Sequence, residues 1–182
     1  MKLKKKKGIL FWITGLPGSG KTTVAIRIKN DIQKLYGPTI VVSGDNLRKI
    51  FGFNKYTSQE RIALSRKFNN FAKFITNRKI NLIFAVVGMI HSARNWNRIN
   101  IDNYIEIYIK TNIKKIISFK KKKIYFSKNK KNIVGLDIKP EFPNKPDIIV
   151  LNDFKKSVTD LKNEILAKIK KIWKKFILIL KN

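Results

Sequence analysis

Cysteine is absent from this 182-residue chain, which excludes disulfides and thiolate metal sites and leaves the redox compartment unstated. Acidic residues are scarce, 11 against 41 Lys and Arg, so the formal charge is +30 and would attract nucleic acid, anionic membrane or polyanionic metabolites. The lysines are scattered through every segment beside abundant Ile and Asn, and no nucleic-acid recognition motif accompanies them. They read as solvated charge, and no specific nucleic acid is expected as a partner. Long hydrophobic runs are missing too. The longest, Leu82–Ile90, has nine residues, about half of what a membrane-spanning helix needs, so no transmembrane segment is expected. Lys4-Lys5-Lys6-Lys7 before an apolar stretch imitates a signal peptide, but the stretch breaks at Thr14-Gly15 and no small-residue cleavage site follows. A soluble cytoplasmic protein is expected. There is no internal repeat of solenoid length. With 43% hydrophobic residues the chain can build a substantial core, and its length suits one domain over 1–182.

What is present is concentrated in Gly15-Leu16-Pro17-Gly18-Ser19-Gly20-Lys21-Thr22, which matches the phosphate-binding pattern G-x-x-x-x-G-K-[ST]. Ile9–Thr14 before it is apolar, β-branched and aromatic like a buried parallel strand, and Val24–Tyr36 after it reads as a helix. In this setting glycines let backbone N–H groups turn toward an anion, and the helix N-terminus adds partial positive charge. Gly15, Leu16, Pro17, Gly18, Ser19, Gly20, Lys21, Thr22 and Thr23 are therefore the candidate ATP-binding residues. Lys21 is placed to reach the β- and γ-phosphates, and Thr22 to bind magnesium. The plain alternative, a Gly-rich turn that binds nothing, does not explain why both flanks fit.

Strand-like runs recur at Ile9–Thr14, Thr39–Val42, Leu82–Val87, Tyr104–Ile109 and Asp147–Leu151, with helical or loop segments between them. This alternation predicts an α/β protein of the P-loop NTPase type: a three-layer fold whose mainly parallel five-stranded sheet carries helices on both faces. Ligand loops then gather at the carboxyl ends of the strands, which puts Gly15–Thr22, Ser43–Arg48 and Gly88–Arg98 on one rim. Thr57–Lys79 suits a helix burying Ile62, Ser65, Phe68, Ala72 and Ile75, with Arg61 and Arg66 on its other side. The Lys-rich stretch at about 119–132 reads either as a mobile lid or as a disordered basic loop. A long amphipathic helix is expected at about 154–180; its apolar tail, Ile177-Leu178-Ile179-Leu180, suits core packing better than contact with another subunit or a membrane.

A phosphate loop alone serves GTPases, motors and small-molecule kinases. The Asn-Lys-x-Asp base selector of GTPases does not follow Ile105–Ile109, where Lys110-Thr111-Asn112 stands instead. Among so few acids Asp45 stands out, in Ser43-Gly44-Asp45-Asn46-Leu47-Arg48. A carboxylate there can accept a hydroxyl proton or order the water shell of a metal, while Arg48 and Arg61 neutralise an anionic acceptor. It can equally be a helix cap.

The stretch from about Ile9 to Asp153 resembles the adenylyl-sulfate (APS) kinases. The shared blocks are Gly15–Thr23, Gly44-Asp45-Asn46-Leu47-Arg48, Glu60-Arg61, Asn132–Asp137 and Pro146–Asn152. The resemblance implies transfer of the γ-phosphoryl group of ATP, with Mg2+ and a mobile lid, to the ribose 3′-hydroxyl of adenylyl sulfate. It implies Lys21 and Asp45 as catalytic residues, Thr22 as the metal ligand, and Asp45, Arg48 and Arg61 on the acceptor. Tyr56 and Ile133 fall where the family stacks aromatics on the acceptor base. The oligomeric state is left open between monomer and homodimer.

Departures bear on the substrate more than on the reaction. Ser43 replaces the first Asp of Asp-Gly-Asp-Asn, Leu64 stands in place of an Asn, and Gly88 in place of a Ser. Phe119-Lys120 replaces an Arg-Asp pair, Lys122-Lys123-Ile124-Tyr125 stands for Lys-Gly-Leu-Tyr, and Ile133 is aliphatic. His91-Ser92-Ala93-Arg94-Asn95-Trp96-Asn97-Arg98 resembles a divergent branch found with bacterial surface-polysaccharide genes, which includes a kinase for cytidine diphosphoramidate. The acceptor expected first is thus adenylyl sulfate, with a cytidine nucleotide, cytidine diphosphoramidate, as the alternative. His91, the only histidine, is a packing or capping residue or else an acceptor contact. A further reading keeps the fold and loses the turnover: a weakened phosphate-binding domain whose basic surface holds nucleic acid or anionic membrane. Under the kinase reading, Lys21→Ala and Asp45→Ala each lower turnover by about tenfold to a thousandfold in a coupled ADP-release assay; a variant with unchanged turnover removes that residue from the mechanism.

Overall fold

The computed structural model describes residues 7–119, 125 and 131–179, with side chains as far as Trp173. Five strands, β1 (Leu10–Thr14), β2 (Thr39–Ser43), β3 (Asn81–Ala85), β4 (Tyr104–Lys110) and β5 (Ile148–Leu151), form one sheet in the order β2-β3-β1-β4-β5. All four pairings are parallel. The helices are α1 (Lys21–Tyr36), α2 (Gly44–Ile50), α3 (Ser58–Asn77), α4 (His91–Asn100), α5 (Ile113–Ser118) and α6 (Val158–Ile179).

Successive side chains of a strand point to opposite faces, and β1 shows what this does in a sheet covered on both sides. Phe11 and Ile13 pack with Ile28 and Ile32 of α1 and with Leu161, Ile165 and Ile169 of α6. Leu10 and Trp12 pack on the other face with Phe68 and Ala72 of α3 and Phe84 of β3. A third apolar cluster, holding Leu16, Met89, Tyr108, Ile116, Tyr125 and Ile133, lies beyond the carboxyl ends of the strands.

Local chemistry sets where the helices begin. α1 starts at Lys21 because Gly20 caps it in a left-handed conformation, φ 91° and ψ 6°, that a side chain would strain. α3 opens on a capping box in which Thr57 and Glu60 exchange hydrogen bonds. Ser43–Arg48 and Gly88–Arg98, expected as loops, each run into a helix; Ser43, rather than Asp45, is the cap of α2, accepting from the Asn46 N–H at 3.1 Å. α6 begins at Val158, later than the expected 154, because Ser157 and Asp160 exchange hydrogen bonds at its start. The buried stripe of α3 is Leu64, Ser65, Phe68, Asn69, Ala72 and Thr76, whereas Ile62 is 40% exposed because this end of the helix overhangs a cavity instead of the sheet.

Most of the Lys-rich 119–132 stretch lies outside the described residues, as do the side chains of Ile177-Leu178-Ile179-Leu180. No helix among the described residues is long and apolar enough to cross a membrane. Ile28 is fully buried between α1 and the sheet, so Ile28→Ala is expected to cost about 2–5 kcal/mol, read as a lowered midpoint in urea denaturation.

Candidate active site

The loop after β1 is fastened through its carbonyl oxygens. Lys21 Nζ donates to Leu16 O at 2.7 Å, Tyr125 Oη to Pro17 O at 3.0 Å, and Asn152 Nδ2 to Ser19 O at 3.0 Å. Gly15 N–H and Thr14 Oγ1 both donate to Val87 O, which ties the loop to the chain leaving β3. With the carbonyls engaged in this way, the first turn of α1, whose amides have no intrahelical acceptors, supplies the donors for an anion. Pro17, Gly18, Gly20, Lys21, Thr22 and Thr23 line one cavity of about 830 Å³. Gly15, Leu16 and Ser19 are buried and support the loop from behind.

Asp45, Arg48, Tyr56 and Arg61 line the same cavity. The Arg48 guanidinium lies 4.4 Å from the Tyr56 ring centre and donates to Lys55 O at 2.9 Å. Arg61 lies 5.4 Å from that ring, with Nε on Tyr56 O and Nη2 on Asn132 O, each at 2.9 Å. Two guanidiniums thus flank one aromatic ring, which is 40% exposed. Burial lowers the pKa of both, and the nearby Arg48 charge lowers that of Arg61 further, while Asp45 opposes the shift in each. Two like charges held close together with one carboxylate favour an anionic ligand. Thr22 and Asp45 face a common space but no cluster of three metal-ligating side chains occurs among the described residues. That donor set suits magnesium, which is bound through one or two protein oxygens plus substrate phosphates rather than by an all-protein cage.

The family model for adenylylsulphate kinase matches residues 7–151. The chain belongs to the adenylylsulphate kinase family. A cytidine diphosphoramidate kinase of Campylobacter jejuni is 31% identical over 168 residues, covering 91% of this chain and 98% of that one. An adenylyl-sulfate kinase of Clostridium acetobutylicum is 31% identical over 156 residues, covering 82% and 77%. In fold, the chain is similar to the Mycobacterium tuberculosis APS kinase CysC in complex with AMPPNP and APS, with a TM-score of 0.79 and 20% identity over 90% of this chain and 98% of that one. Membership makes the chain a phosphotransferase with an alcohol group as acceptor.

Against the family pattern, several placements stand out. Ile133 does not line the cavity: it is 1% exposed and packs in the apolar cluster with Leu16 and Tyr125, so the side chain expected against the acceptor base belongs to the core. Gly88, in the family's Ser position, has φ 52°, and a Cβ there would lie 2.9 Å from Trp12 Nε1 and 3.0 Å from Val86 Cγ2. Bringing the indole of Trp12 so close beneath the loop leaves no room for a side chain at 88. His91 starts α4, outside the cavity lining, with Nδ1 2.8 Å from Arg94 Nη2. A guanidinium only donates, so Nδ1 accepts. Arg66 is exposed and does not reach the cavity.

Sequence reasoning placed Asn152 at the end of a shared block but gave no site role to the segment after β5, where Asn152, Phe154 and Lys156 line the cavity on the far side of the phosphate loop from Asp45. Asn152 Oδ1 accepts from Phe154 N–H at 3.1 Å while its amide holds Ser19, so one side chain shapes both that turn and the loop. Its signal was faint: one Asn beyond a strand. Asn152→Ala is expected to weaken ATP binding about tenfold, the worth of one such buried hydrogen bond, with acceptor affinity unchanged, as measured by titration with a non-hydrolysable ATP analogue.

Proposed function

We propose that the protein is an ATP- and magnesium-dependent kinase that phosphorylates the ribose 3′-hydroxyl of cytidine diphosphoramidate. The observation that carries the reaction is one cavity joining the phosphate loop, with Lys21 and Thr22, to Asp45, Arg48 and Arg61. ATP as donor is supported by the kinase family and by the AMPPNP held in the related solved structure. The loop amides and Lys21 hold the triphosphate, and the guanidiniums of Arg48 and Arg61 draw the anionic acceptor against Tyr56. Asp45 takes the proton of the 3′-hydroxyl as its oxygen bonds to the γ-phosphorus; the bond to the β–γ bridging oxygen breaks and ADP leaves. Thr22 and Asp45 are the residues that would hold magnesium together with the phosphates, and the ion would supply charge neutralisation there. The protein's part is positioning and charge neutralisation.

The acceptor is argued from two sides. The cytidine diphosphoramidate kinase relative is matched over nearly the whole of both chains. Of the aromatics that line the cavity near Asp45, Tyr56 is exposed whereas Phe68 and Trp12 are buried in the core, and Ile133 is withdrawn there too, so a base can stack on Tyr56 without being clamped between two exposed rings. A site that does not depend on a double stack gives up less with a pyrimidine than with a purine, whose larger ring system draws more from stacking. Adenylyl sulfate, the acceptor favoured by the sequence resemblance, is the second reading. It is supported by the adenylyl-sulfate kinase relatives and by the motif resemblance, which implies an acceptor role for Arg48 and Arg61.

Phosphorus NMR of the protein with ATP, magnesium and each nucleotide tests this. The expected outcome is a new phosphomonoester resonance with cytidine diphosphoramidate. Turnover of adenylyl sulfate alone selects the second reading, and no new resonance with either removes both.

A further inference from the structure

Arg94 of α4 is 3% exposed and binds four parts of the chain at once. Nε pairs with Glu106 Oε1 of β4 at 3.1 Å; Nη1 donates to Gly88 O at 2.6 Å; Nη2 donates to Glu141 O at 2.8 Å and lies 2.8 Å from His91 Nδ1. Glu106 is itself buried, which raises its pKa, and the charges of Arg94 and Arg98 oppose that rise. Glu141 closes the arrangement from outside. Its N–H donates to Met89 O at 3.3 Å and its carboxylate accepts from the His91 N–H. That amide opens α4, where unpaired N–H groups and the helix dipole favour an anion. The irregular segment 88–90 with the first residue of α4, and the irregular segment 139–141, are therefore fastened to each other by Arg94 and Glu141 and not by a sheet ladder.

Gly88, Met89, Ile90 and Glu141 line the cavity, and the sheet order decides which part of it they border. β3 lies between β2, whose end leads to Asp45 and Arg48, and β1, which leads to the phosphate loop. β5, leading to Asn152 and Phe154, is at the opposite edge. The fastened loops thus form the wall of the acceptor half.

We propose that Arg94 and Glu141 act as a positioning clamp that fixes the loop after β3 and sets affinity for the acceptor nucleotide without affecting that for ATP. This rests on the kinase reading above. A guanidinium suits the task because its planar fork serves several oxygens in fixed directions, which an ammonium does not. Buried charge-assisted bonds make the wall rigid before the acceptor arrives, so less ordering remains to be done on binding.

Arg94 is buried against Glu106 and its variants risk unfolding, whereas Glu141 is exposed, so Glu141→Ala is the working variant. Glu141→Gln keeps an oxygen for the His91 N–H and serves as the conservative rescue. Hydrogen exchange is followed on the full chain without nucleotide. In Glu141→Ala, peptides covering 86–94 are expected to exchange about tenfold faster, those covering 14–24 are expected to be unchanged, and Glu141→Gln is expected to restore most of the protection. In steady-state kinetics the acceptor KM is expected to rise about tenfold in Glu141→Ala with the ATP KM unchanged. Unchanged exchange over 86–94 overturns the clamp, and an ATP KM rising in step with the acceptor KM overturns its assignment to the acceptor half. A parent protein that phosphorylates neither nucleotide overturns the kinase reading instead, and the exchange measurement still decides the clamp.

Discussion

The phosphate loop binds through its amides only if its carbonyls are turned elsewhere, and here three of them are held by side chains, one from the start of the next helix and two from distant parts of the chain. Leu16 O is taken by Lys21, Pro17 O by Tyr125 and Ser19 O by Asn152. A backbone carbonyl left facing an anion would repel it, and a buried one left unpaired would carry the cost of its lost hydration. Capturing these oxygens both satisfies the backbone and fixes which way the loop presents its donors. β1, β5 and the residue Tyr125 must all be in place for this, so the site is assembled only by the complete sheet.

The same logic organises the half of the cavity proposed for the acceptor. In a chain with 11 acids and 41 basic residues, like charges repel wherever they meet, and most stay in water. Arg48 and Arg61 are exceptions: carbonyl oxygens and the face of Tyr56 hold the pair together beside Asp45. Arg94 is another, its charge answered by Glu106 inside the protein. Each of these guanidiniums holds several oxygens at once, carbonyls of irregular segments and, for Arg94, the Glu106 carboxylate as well, which makes it a more rigid fixture than a surface lysine.

Much of the fold was legible because its signals are local. The five strand-like runs, the phosphate-loop motif and the helix after it are contiguous patterns of apolar spacing and glycine placement, and each falls within a few residues of the observed element. α3 was found but its inner face was displaced at one end, since spacing tells that Ile62 lies on an apolar stripe and not that the helix there overhangs a cavity. Ile133 shows the limit for a site residue. Its position in a motif suggested contact with a base, whereas its burial depends on neighbours such as Leu16 and Tyr125, far away in sequence. Gly88 was noted as a lost serine, but the reason a side chain does not fit there is the indole of Trp12, delivered by another strand.

By itself the sequence determined the layer architecture and the phosphate-loop motif with its lysine, and it singled out Asp45, Arg48 and Arg61 as candidates for the same site. These follow from period, motif and scarcity, all of which are properties of the chain read in order. Only the tertiary structure decided that Asn152 and Tyr125 brace the turn, that Ile133 withdraws into the core, and that Arg94 fastens one wall of the cavity through Gly88 and Glu141. The reason is geometric: a hydrogen bond or a steric limit between residues tens of positions apart exists only once the strands carrying them are side by side.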